Sequence, residues 1–351
     1  MINVGIVGVS GYMGGEVLRL LLDHPHVHIA WVTSRQAGNL ADFHPAFYGL
    51  DIKLIRPEDI TPCDVVFLAL PTQASLALAT QLIDWGCKVI DLGSAFRLTD
   101  RTEWERVYQQ THTAWALAEQ AVYGLNELHY QSIKQAQLIA NPGCYSSAAI
   151  LAMAPLIKEQ CIDPEKIVIT GLSGTAGAGA TQSRVTHHPE MANNLVPYNV
   201  VDHRHSYEIE QQLSGINGQA VSVHFTPVYV PIVRGILNIC YGFLNEKYSR
   251  ETLLKRYREF YHSSAFVKIY DRPKETLTSW QYKPYPWVNA VVGTNYCFIG
   301  LEVDEKRNRV VVFSVLDSLG KGGAQVGIEN MNLMFGFDRT CGLTRRGIHP
   351  I

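Results

Sequence analysis

Cys144 lies in a stretch of sequence that could supply a nucleophile. Residues 141–147 read NPGCYSS and separate an apolar run, QAQLIA, from an unbroken helical pattern, AAILAMAPLIKE. A cysteine in the first turn of a helix lies beside backbone N–H groups that have no partner within the helix, and their field favours the thiolate. The sequence therefore predicts Cys144 as the nucleophile of a covalent mechanism.

A pair of histidines is the leading candidate for acid/base chemistry. His203 and His205 flank Arg204 directly before a helical stretch, SYEIEQQL. No acidic or cysteine partner stands at metal-ligand spacing, so proton transfer is favoured over metal binding and no metal site is predicted. We rank His205 slightly ahead of His203. A role for either ring in capping the helix stays open as the alternative.

Two arginines could bind an anionic substrate. Arg97 follows the apolar strand pattern KVIDLGS, and Arg234 stands alone in an apolar, β-rich stretch. An arginine in such a place either recognises a phosphate or carboxylate or is paired structurally. For Arg97 the structural alternative is an ion pair with Asp91 or Asp100.

A glycine-rich turn near the N-terminus has the features of a nucleotide-binding loop. Residues 2–8 form an apolar β-type run, and the helical pattern EVLRLLLDH follows the turn. The spacing is GxxGxxG rather than GxGxxG, but glycines here would still let the backbone approach a pyrophosphate at a helix N-terminus. A purely structural turn is the alternative. The predicted cofactor contacts of this turn are Gly8, Ser10, Gly11, Tyr12, Met13 and Gly14.

The end of the second predicted strand bears on the choice of cofactor. The strand VHIAWVTS runs into Ser34 and Arg35, where an NAD-binding protein would place an acidic residue for the ribose diol. A hydroxyl and a guanidinium suit an additional phosphate, so the sequence predicts NADP(H). That Arg35 is only a solvated loop residue is the alternative.

Strands and helices continue to alternate up to the cysteine. This alternation predicts a Rossmann-type, doubly wound parallel sheet, with ligands beyond the carboxyl ends of its strands, where Pro71 and Ser94 fall. Residues 99–130 are predicted to form an irregular crossover that covers the mouth of the active site. Residues 133–140 are predicted to form the strand that leads to Cys144.

The second half of the chain predicts an α+β domain with an open, mixed sheet. Its first strand runs into the glycine-rich loop SGTAGAGA, where Ser173, Gly174 and Gly177 could approach the nicotinamide end of the cofactor; a flexible connector is the alternative. The chain ends in a helical pattern that contains Asn330. We predict a nucleotide-binding domain of residues 1–142 and 320–351 and a catalytic domain of residues 143–319.

The composition argues against several classes of protein. The 351 residues are 47% hydrophobic and carry a formal net charge of −2, with no basic block that would indicate nucleic acid and no membrane-spanning apolar run. The seven cysteines are an odd number without a CxxC pair, which favours a reducing compartment, the cytoplasm. A broad open sheet favours a homo-oligomer, dimer or tetramer.

A set of motifs runs in order along nearly the whole chain: GVSGYMGGEVLRLLL, DLGSAFRL, ANPGCYSSAAIL, SGTAGAGA, HRHSYEIEQQL, FTPVYVPIVRGI and GKGGAQVGIENMNLMFGFD. In these motifs the sequence resembles the N-acetyl-γ-glutamyl-phosphate reductases, a family within the semialdehyde and glyceraldehyde-phosphate dehydrogenase-like folds. The resemblance implies an NADPH-dependent reduction of an acyl phosphate in arginine biosynthesis. It implies that Cys144 carries a thioacyl intermediate and that a histidine of the HRH stretch is the acid/base. It also implies cofactor contacts near Asn330 and substrate anchoring by Arg97 and Arg234. We predict Ser94 and Asn141 as further substrate contacts.

Other functions stay open at this point. The same chemistry would serve an aminoadipyl-phosphate reductase of lysine biosynthesis, an aspartate-semialdehyde dehydrogenase or a glyceraldehyde-phosphate dehydrogenase. A different class is an NADP(H)-binding redox sensor without turnover, which would need neither an acid/base beside the thiol nor an anion-binding arginine.

Overall fold

In a computed structural model that describes residues 1–36, 38–52, 54–271 and 285–347, the chain folds as two units. The first unit comprises Met1–Pro142 and Gly323–Arg345. The second comprises Gly143–Gly322, together with residues 346–347 at the end of the described chain. The domain division predicted from the sequence had placed residues 320–322 and 346–347 in the first unit.

The first unit is built on a seven-stranded sheet in which all neighbouring strands are parallel. The strand order is β3-β2-β1-β4-β5-β7-β6, so the direction of strand addition reverses between β1 and β4. Such a switch point is where doubly wound sheets bind ligands, and the predicted Rossmann-type sheet is confirmed. The strands are β1 (Ile2–Val7), β2 (Val27–Thr33), β3 (Leu54–Ile55), β4 (Val65–Leu68), β5 (Lys88–Asp91), β6 (Val122–Tyr123) and β7 (Leu138–Ala140).

About half of residues 99–130 are helical, so the prediction that this crossover is irregular is wrong. The Asp100 carboxylate caps the helix α4 by accepting a hydrogen bond from the Glu103 N–H (2.8 Å), and the wholly buried Trp104 anchors the helix. A further helix, α6, extends past residue 133, so only three residues of the predicted strand 133–140 are β. The helices are α1 (Tyr12–Leu21), α2 (Leu40–Phe43), α3 (Thr72–Asp84), α4 (Arg101–Tyr108), α5 (Trp115–Ala118) and α6 (Asn126–Gln135).

The second unit contains a mixed seven-stranded sheet, as predicted. Its order is β12-β13-β14-β11-β8-β10-β9, with β8 and β10 parallel and β13 and β14 antiparallel. The strands are β8 (Ile167–Ser173), β9 (Val196–Pro197), β10 (Val223–Tyr229), β11 (Ile236–Phe243), β12 (Val267–Ile269), β13 (Cys297–Asp304) and β14 (Arg309–Leu316). The helices are α7 (Cys144–Lys158), α8 (His188–Met191), α9 (Arg204–Asn217) and α10 (Arg250–Phe260).

One face of this mixed sheet is covered and the other is open. Along β11, Ile236 and Cys240 are buried on the side where α7 packs, whereas the alternate side chains are partly exposed. Phe243 at the end of the strand is 41% exposed, and Val168 of β8 is 38% exposed. The open face is therefore apolar, which is typical of a surface that another protein chain covers.

The helix α7, which begins at Cys144, contains a proline. Pro155 has no N–H, so the Leu151 carbonyl lacks the donor that an α-helix would supply four residues later. The Tyr261 hydroxyl of the segment after α10 donates a hydrogen bond to this carbonyl (2.6 Å). The Tyr257 hydroxyl donates to the next carbonyl, that of Ala152 (2.5 Å). Two tyrosines, one in α10 and one directly after it, are thus hydrogen-bonded to the interior of α7.

These tyrosines give a matched pair of stability predictions. Tyr261→Phe should lower the free energy of unfolding by about 1–3 kcal/mol, because the buried Leu151 carbonyl is left without a donor. Tyr257→Phe should cost only about 0.5–1.5 kcal/mol, because the Ala152 carbonyl can still accept the helical N–H of Leu156. Urea unfolding followed by circular dichroism measures both. An equal or larger loss in Tyr257→Phe would contradict this account of the proline.

The last helix returns to the first unit. This helix, α11 (Gln325–Met334), packs against α6 and α1. Within the described residues, no helix has both the length and the apolar composition needed to cross a membrane.

Candidate active site

Cys144 is the first residue of α7 and is partly exposed. Gly143, the N-cap, contributes no side chain, and its backbone N–H donates to the Glu208 carboxylate (3.0 Å). The first turn of α7 presents backbone N–H groups around the cysteine, which is the setting that stabilises a thiolate or a developing oxyanion.

His203 is the N-cap of α9. Its Nδ1 atom accepts a hydrogen bond from the His205 N–H (3.2 Å), so the capping role left open in the sequence is present here. The ring packs edge-on against Tyr145, Tyr198 and Phe225 and is only 5% exposed. Burial and the charge of Arg204 lower the pKa of His203 to about 4. His203 is therefore neutral at physiological pH.

His205 lies in the first turn of α9 and is also buried. Its Nε2 atom is 3.8 Å from a carboxylate oxygen of Glu208, which lies three residues later on the same helix. The other oxygen of Glu208 accepts the Gly143 N–H. One fully buried carboxylate thus joins the histidine to the residue before Cys144.

Glu208 is not among the site residues predicted from the sequence, although its place in the first turn after His205 favours that histidine. Its position three residues after His205 on a predicted helix was an available signal, because residues at this spacing share a helix face. The contact with Gly143 could not be read from the sequence.

Arg234 is held by a buried carboxylate. Its Nε and Nη2 atoms donate to the two oxygens of Asp317 (3.2 and 2.7 Å), a bidentate pair. Asp317 is wholly buried, whereas the Arg234 side chain is 23% exposed. The structural alternative for Arg234 is therefore present, with part of the guanidinium side chain still accessible.

The glycine loop after β8 is shaped by the chain's own backbone. A Cβ atom at Gly174 would lie 2.5 Å from the Val233 carbonyl oxygen, and the Ser173 hydroxyl donates to the Gly174 carbonyl (3.0 Å). The close approach at Gly174 thus has a structural cause. At Gly177 the nearest atom, Ser173 Oγ, is 3.5 Å from an added Cβ, so that position has more room.

In the first unit, the glycine turn between β1 and α1 has both packed and open positions. Gly8 has a φ of +87°, and a Cβ there would lie 2.4 Å from the Ala69 carbonyl oxygen. A Cβ at Gly14 would lie 2.4 Å from the Gly8 carbonyl oxygen. At Gly11, the N-cap of α1, the nearest atom is 3.7 Å away and no side chain caps the helix. This turn fits a dinucleotide pyrophosphate.

The other predicted contacts of the turn lie around this position. Tyr12 and Met13 are the first two residues of α1, and Tyr12 is 45% exposed. The Ser34 hydroxyl donates to Ser10 Oγ (3.2 Å), which joins the end of β2 to the turn. Arg35, the next residue, is exposed.

Arg97 is buried and makes backbone contacts within the first unit. Its Nε atom donates to the Asn141 carbonyl (2.8 Å), and Nη2 donates to the Leu92 carbonyl (3.3 Å). Burial raises the pKa of Asp91, and the charge of Arg97 opposes that rise, so the two residues interact electrostatically. Asp100, the other predicted partner, caps α4 instead.

Amide side chains near the end of β7 are held by protein groups. The Asn141 amide donates to the Gly323 carbonyl (3.0 Å). Asn330 donates to the Gly124 carbonyl (2.9 Å) and accepts from the Asn126 amide (2.8 Å). These contacts give Asn330, a predicted cofactor contact, a structural role in the first unit.

Pro71 and Ser94 lie at the carboxyl ends of β4 and β5. Pro71 is the exposed N-cap of α3, and the hydroxyl of the next residue, Thr72, is 3.2 Å from that of Ser94. The structure therefore brings Ser94 to the start of α3, on the rim where such sheets bind ligands.

Comparison with known families identifies the class of protein that these two units form. Residues 3–136 match the family model described as the NAD binding domain of semialdehyde dehydrogenase, and residues 144–318 match the dimerisation domain of semialdehyde dehydrogenase. The solved structure of aspartate semialdehyde dehydrogenase II from Vibrio cholerae superposes with a TM-score of 0.71 at 16% identity, covering 96% of this chain and 99% of that one. The fold is that of the semialdehyde dehydrogenases, oxidoreductases that use a nicotinamide cofactor.

Full-length relatives identify the family to which the chain belongs within this class. The chain is 43% identical to N-acetyl-gamma-glutamyl-phosphate reductase from Symbiobacterium thermophilum over 99% of both chains. It is 42% identical to the enzyme of the same name from Methanopyrus kandleri over the full length of both. The chain belongs to the N-acetyl-gamma-glutamyl-phosphate reductase family.

Proposed function

We propose that this enzyme reduces N-acetyl-γ-glutamyl phosphate to N-acetylglutamate 5-semialdehyde and inorganic phosphate, a step of arginine biosynthesis, with NADPH as the reductant. The observation that carries the mechanism is the buried link from His205 through Glu208 to Gly143, beside the thiol of Cys144. A histidine oriented by a carboxylate near a nucleophile is the arrangement that covalent acyl transfer requires.

In the first half-reaction, the Cys144 sulfur attacks the acyl carbon, a C–S bond forms and the C–O bond to phosphate breaks. His205 accepts the thiol proton and returns it to the departing phosphate. Glu208, three residues later on the same helix, orients the His205 ring. The first-turn N–H groups of α7 stabilise negative charge on the acyl oxygen.

In the second half-reaction, a nicotinamide cofactor held on the glycine turn of the first unit would, when bound, supply the hydride that reduces the thioester carbon. The C–S bond then breaks, the aldehyde leaves and Cys144 is released as a thiolate, which takes up one proton from solvent to restore the thiol. In our proposal, Arg234 binds an anionic group of the substrate through its accessible side chain. The predicted substrate contacts from the first unit are Ser94, Arg97 and Asn141.

The proposal that NADPH is the reductant rests on the residues at the end of β2. The exposed guanidinium of Arg35 suits the 2′-phosphate that distinguishes NADPH from NADH. Ser34, the other predicted contact, is buried and its hydroxyl donates to Ser10 in the glycine turn. The rest of the cofactor would lie on the turn of Gly8 to Gly14, with Pro71, Ser173, Gly174 and Gly177 as further predicted contacts.

We also propose that the enzyme works in the cytoplasm as a homo-oligomer, without nucleic acid or membrane partners. The match to a dimerisation domain and the open apolar face of the mixed sheet support self-association. The partly exposed thiol of Cys144 would need a reducing compartment to stay available.

A substrate comparison tests the proposed function. NADPH oxidation, followed at 340 nm, should show a kcat/KM for N-acetyl-γ-glutamyl phosphate at least about tenfold above that for aspartyl phosphate or the carrier-bound aminoadipyl phosphate. Replacing NADPH by NADH should lower kcat/KM. A higher kcat/KM with either competing acyl phosphate would reassign the substrate, and NADPH binding without turnover of any of them would favour the redox sensor.

A further inference from the structure

Asp317, directly after β14, accepts four hydrogen bonds through its carboxylate. One oxygen accepts the Leu319 N–H (3.0 Å) and Arg234 Nε (3.2 Å). The other accepts Arg234 Nη2 (2.7 Å) and the Gly293 N–H (2.6 Å). The carboxylate is wholly buried, so these donors replace water completely. No other acceptor side chain of similar size could satisfy four donors in this place.

The backbone of Asp317 begins a tight turn. Its carbonyl accepts the N–H groups of Gly320 (3.0 Å) and Gly322 (2.9 Å). A Cβ at Gly320 would lie 2.2 Å from the Thr294 carbonyl oxygen, so the turn is pressed against neighbouring backbone. The chain continues as a π-helical turn over Gly320–Ala324, a geometry often found at functional sites.

This turn lies directly against the nucleophile. A Cβ at Gly322 would be 2.8 Å from the Cβ of Cys144 and 3.1 Å from the Asp317 carbonyl oxygen. Any displacement of the turn is therefore transmitted to the side of Cys144 on which Gly322 packs.

We propose that Asp317 is a positioning residue that holds two parts of the site in one geometry: the Arg234 guanidinium and the turn that backs Cys144. The part that concerns Arg234 rests on the proposed function, in which this arginine binds the anionic substrate. The part that concerns Cys144 rests only on the packing of Gly322. The sequence signal for Asp317 is its place at the end of a strand, before the glycine-rich GKGG.

Replacing Asp317 by asparagine tests whether the hydrogen bonds of the carboxylate, rather than the volume of the side chain, hold the site in place. Asp317→Asn keeps the volume but replaces one acceptor oxygen by an NH₂ group, which would face N–H donors of Arg234 and the backbone. Arg234 would lose its bidentate partner and sample other rotamers, and the turn would lose part of its anchor. Asp304→Asn is the matched control, because Asp304 also pairs with arginines, Arg307 and Arg309, but lies at the partly exposed end of β13.

The test uses two readouts on the full-length enzyme. The first is KM for the acyl phosphate, which Asp317→Asn should raise about 10- to 100-fold, since a bidentate charged contact loses its orientation. The second is the rate at which iodoacetamide alkylates Cys144 without substrate, measured by peptide mass spectrometry, which should change at least about threefold. Alkylation of the partly exposed Cys341 in the first unit should be unchanged. Asp304→Asn should leave both readouts at wild-type values.

A double-mutant cycle tests whether Asp317 affects KM through Arg234. In an Arg234→Gln background, Asp317→Asn should alter KM by less than about twofold, because the residue through which it acts is gone. The effect on Cys144 alkylation should persist in that background. An effect on KM of the same size with and without Arg234, or wild-type alkylation in Asp317→Asn, would overturn the proposal.

A second variant covers the case in which Asp317→Asn does not fold. Gly322→Ala places a methyl group against Cys144 and should change the alkylation rate and lower kcat while KM stays near the wild-type value. Unchanged alkylation and kcat in Gly322→Ala would also overturn the proposal. Because alkylation needs no substrate, this arm gives its answer even if N-acetyl-γ-glutamyl phosphate proves not to be the substrate.

Discussion

Replacing Cys144 by serine or alanine should lower kcat by at least about a thousandfold, because both variants lack the thiolate on which covalent acyl transfer depends. A serine hydroxyl is far less acidic than a thiol, and it would form an oxygen ester rather than the more readily reduced thioester. NADPH oxidation at 340 nm in the presence of the acyl phosphate measures the loss. Full activity in Cys144→Ala would exclude the thioacyl mechanism.

The covalent intermediate offers a direct check. With acyl phosphate and no NADPH, the wild-type chain should gain the mass of one acyl group on the peptide that contains Cys144, and hydroxylamine should remove it. Cys341→Ser is a matched control, because this thiol is also partly exposed but lies in the first unit. It should acquire the adduct on Cys144 and turn over like the wild type. NADPH binding by Cys144→Ala should be unchanged, which separates chemistry from cofactor affinity.

The second large effect concerns the choice between the two histidines. His205→Asn should lower kcat by about 10²- to 10⁴-fold, the usual contribution of a positioned acid/base. In His205→Asn, the limb of the pH–rate profile that reports the titration of the acid/base should be absent. The physical reason is the Glu208 carboxylate, which lies 3.8 Å from the His205 ring and accepts the N–H of Gly143, the residue before Cys144.

His203→Asn is the control for this prediction. Asparagine is a good N-cap, so the variant can still accept the His205 N–H and keep the start of α9. Because the pKa of His203 is about 4, its ring is already neutral over the working range, and its loss should leave the limb in place. Loss of the limb in His203→Asn and its survival in His205→Asn would reverse the assignment.

The lowered pKa of His203 also predicts how the stability of the protein changes in acid. His203 has a folded-state pKa below its ordinary value of 6.5, so the folded protein binds this proton less readily than the unfolded chain. The stabilisation from the neutral ring is complete above pH 6.5 and is lost as the pH falls from 6.5 towards 4. His203→Asn lacks this titration, so its unfolding free energy should decline less over that interval.

Local sequence patterns were enough to predict much of the fold. The strand, glycine turn and helix formed by β1 and α1 could be predicted because apolar periodicity and glycine spacing are properties of a short stretch. The helix α4 within residues 99–130 could not, because it is short and polar. Its stability comes from the Asp100 cap and from burial of Trp104, and that burial depends on the rest of the unit.

For the site, residue type and position along the chain were enough to predict Cys144 at a helix start, a histidine pair before a second helix and a glycine turn suited to a dinucleotide. The sequence did not show which histidine is buried as a neutral cap, or which carboxylates hold the site. Glu208 reaches Gly143 across 65 residues, and Asp317 reaches Arg234 across 83. Such pairs depend on how α9 packs on α7 and on the pairing of β11 with β14, so no pattern confined to neighbouring residues records them.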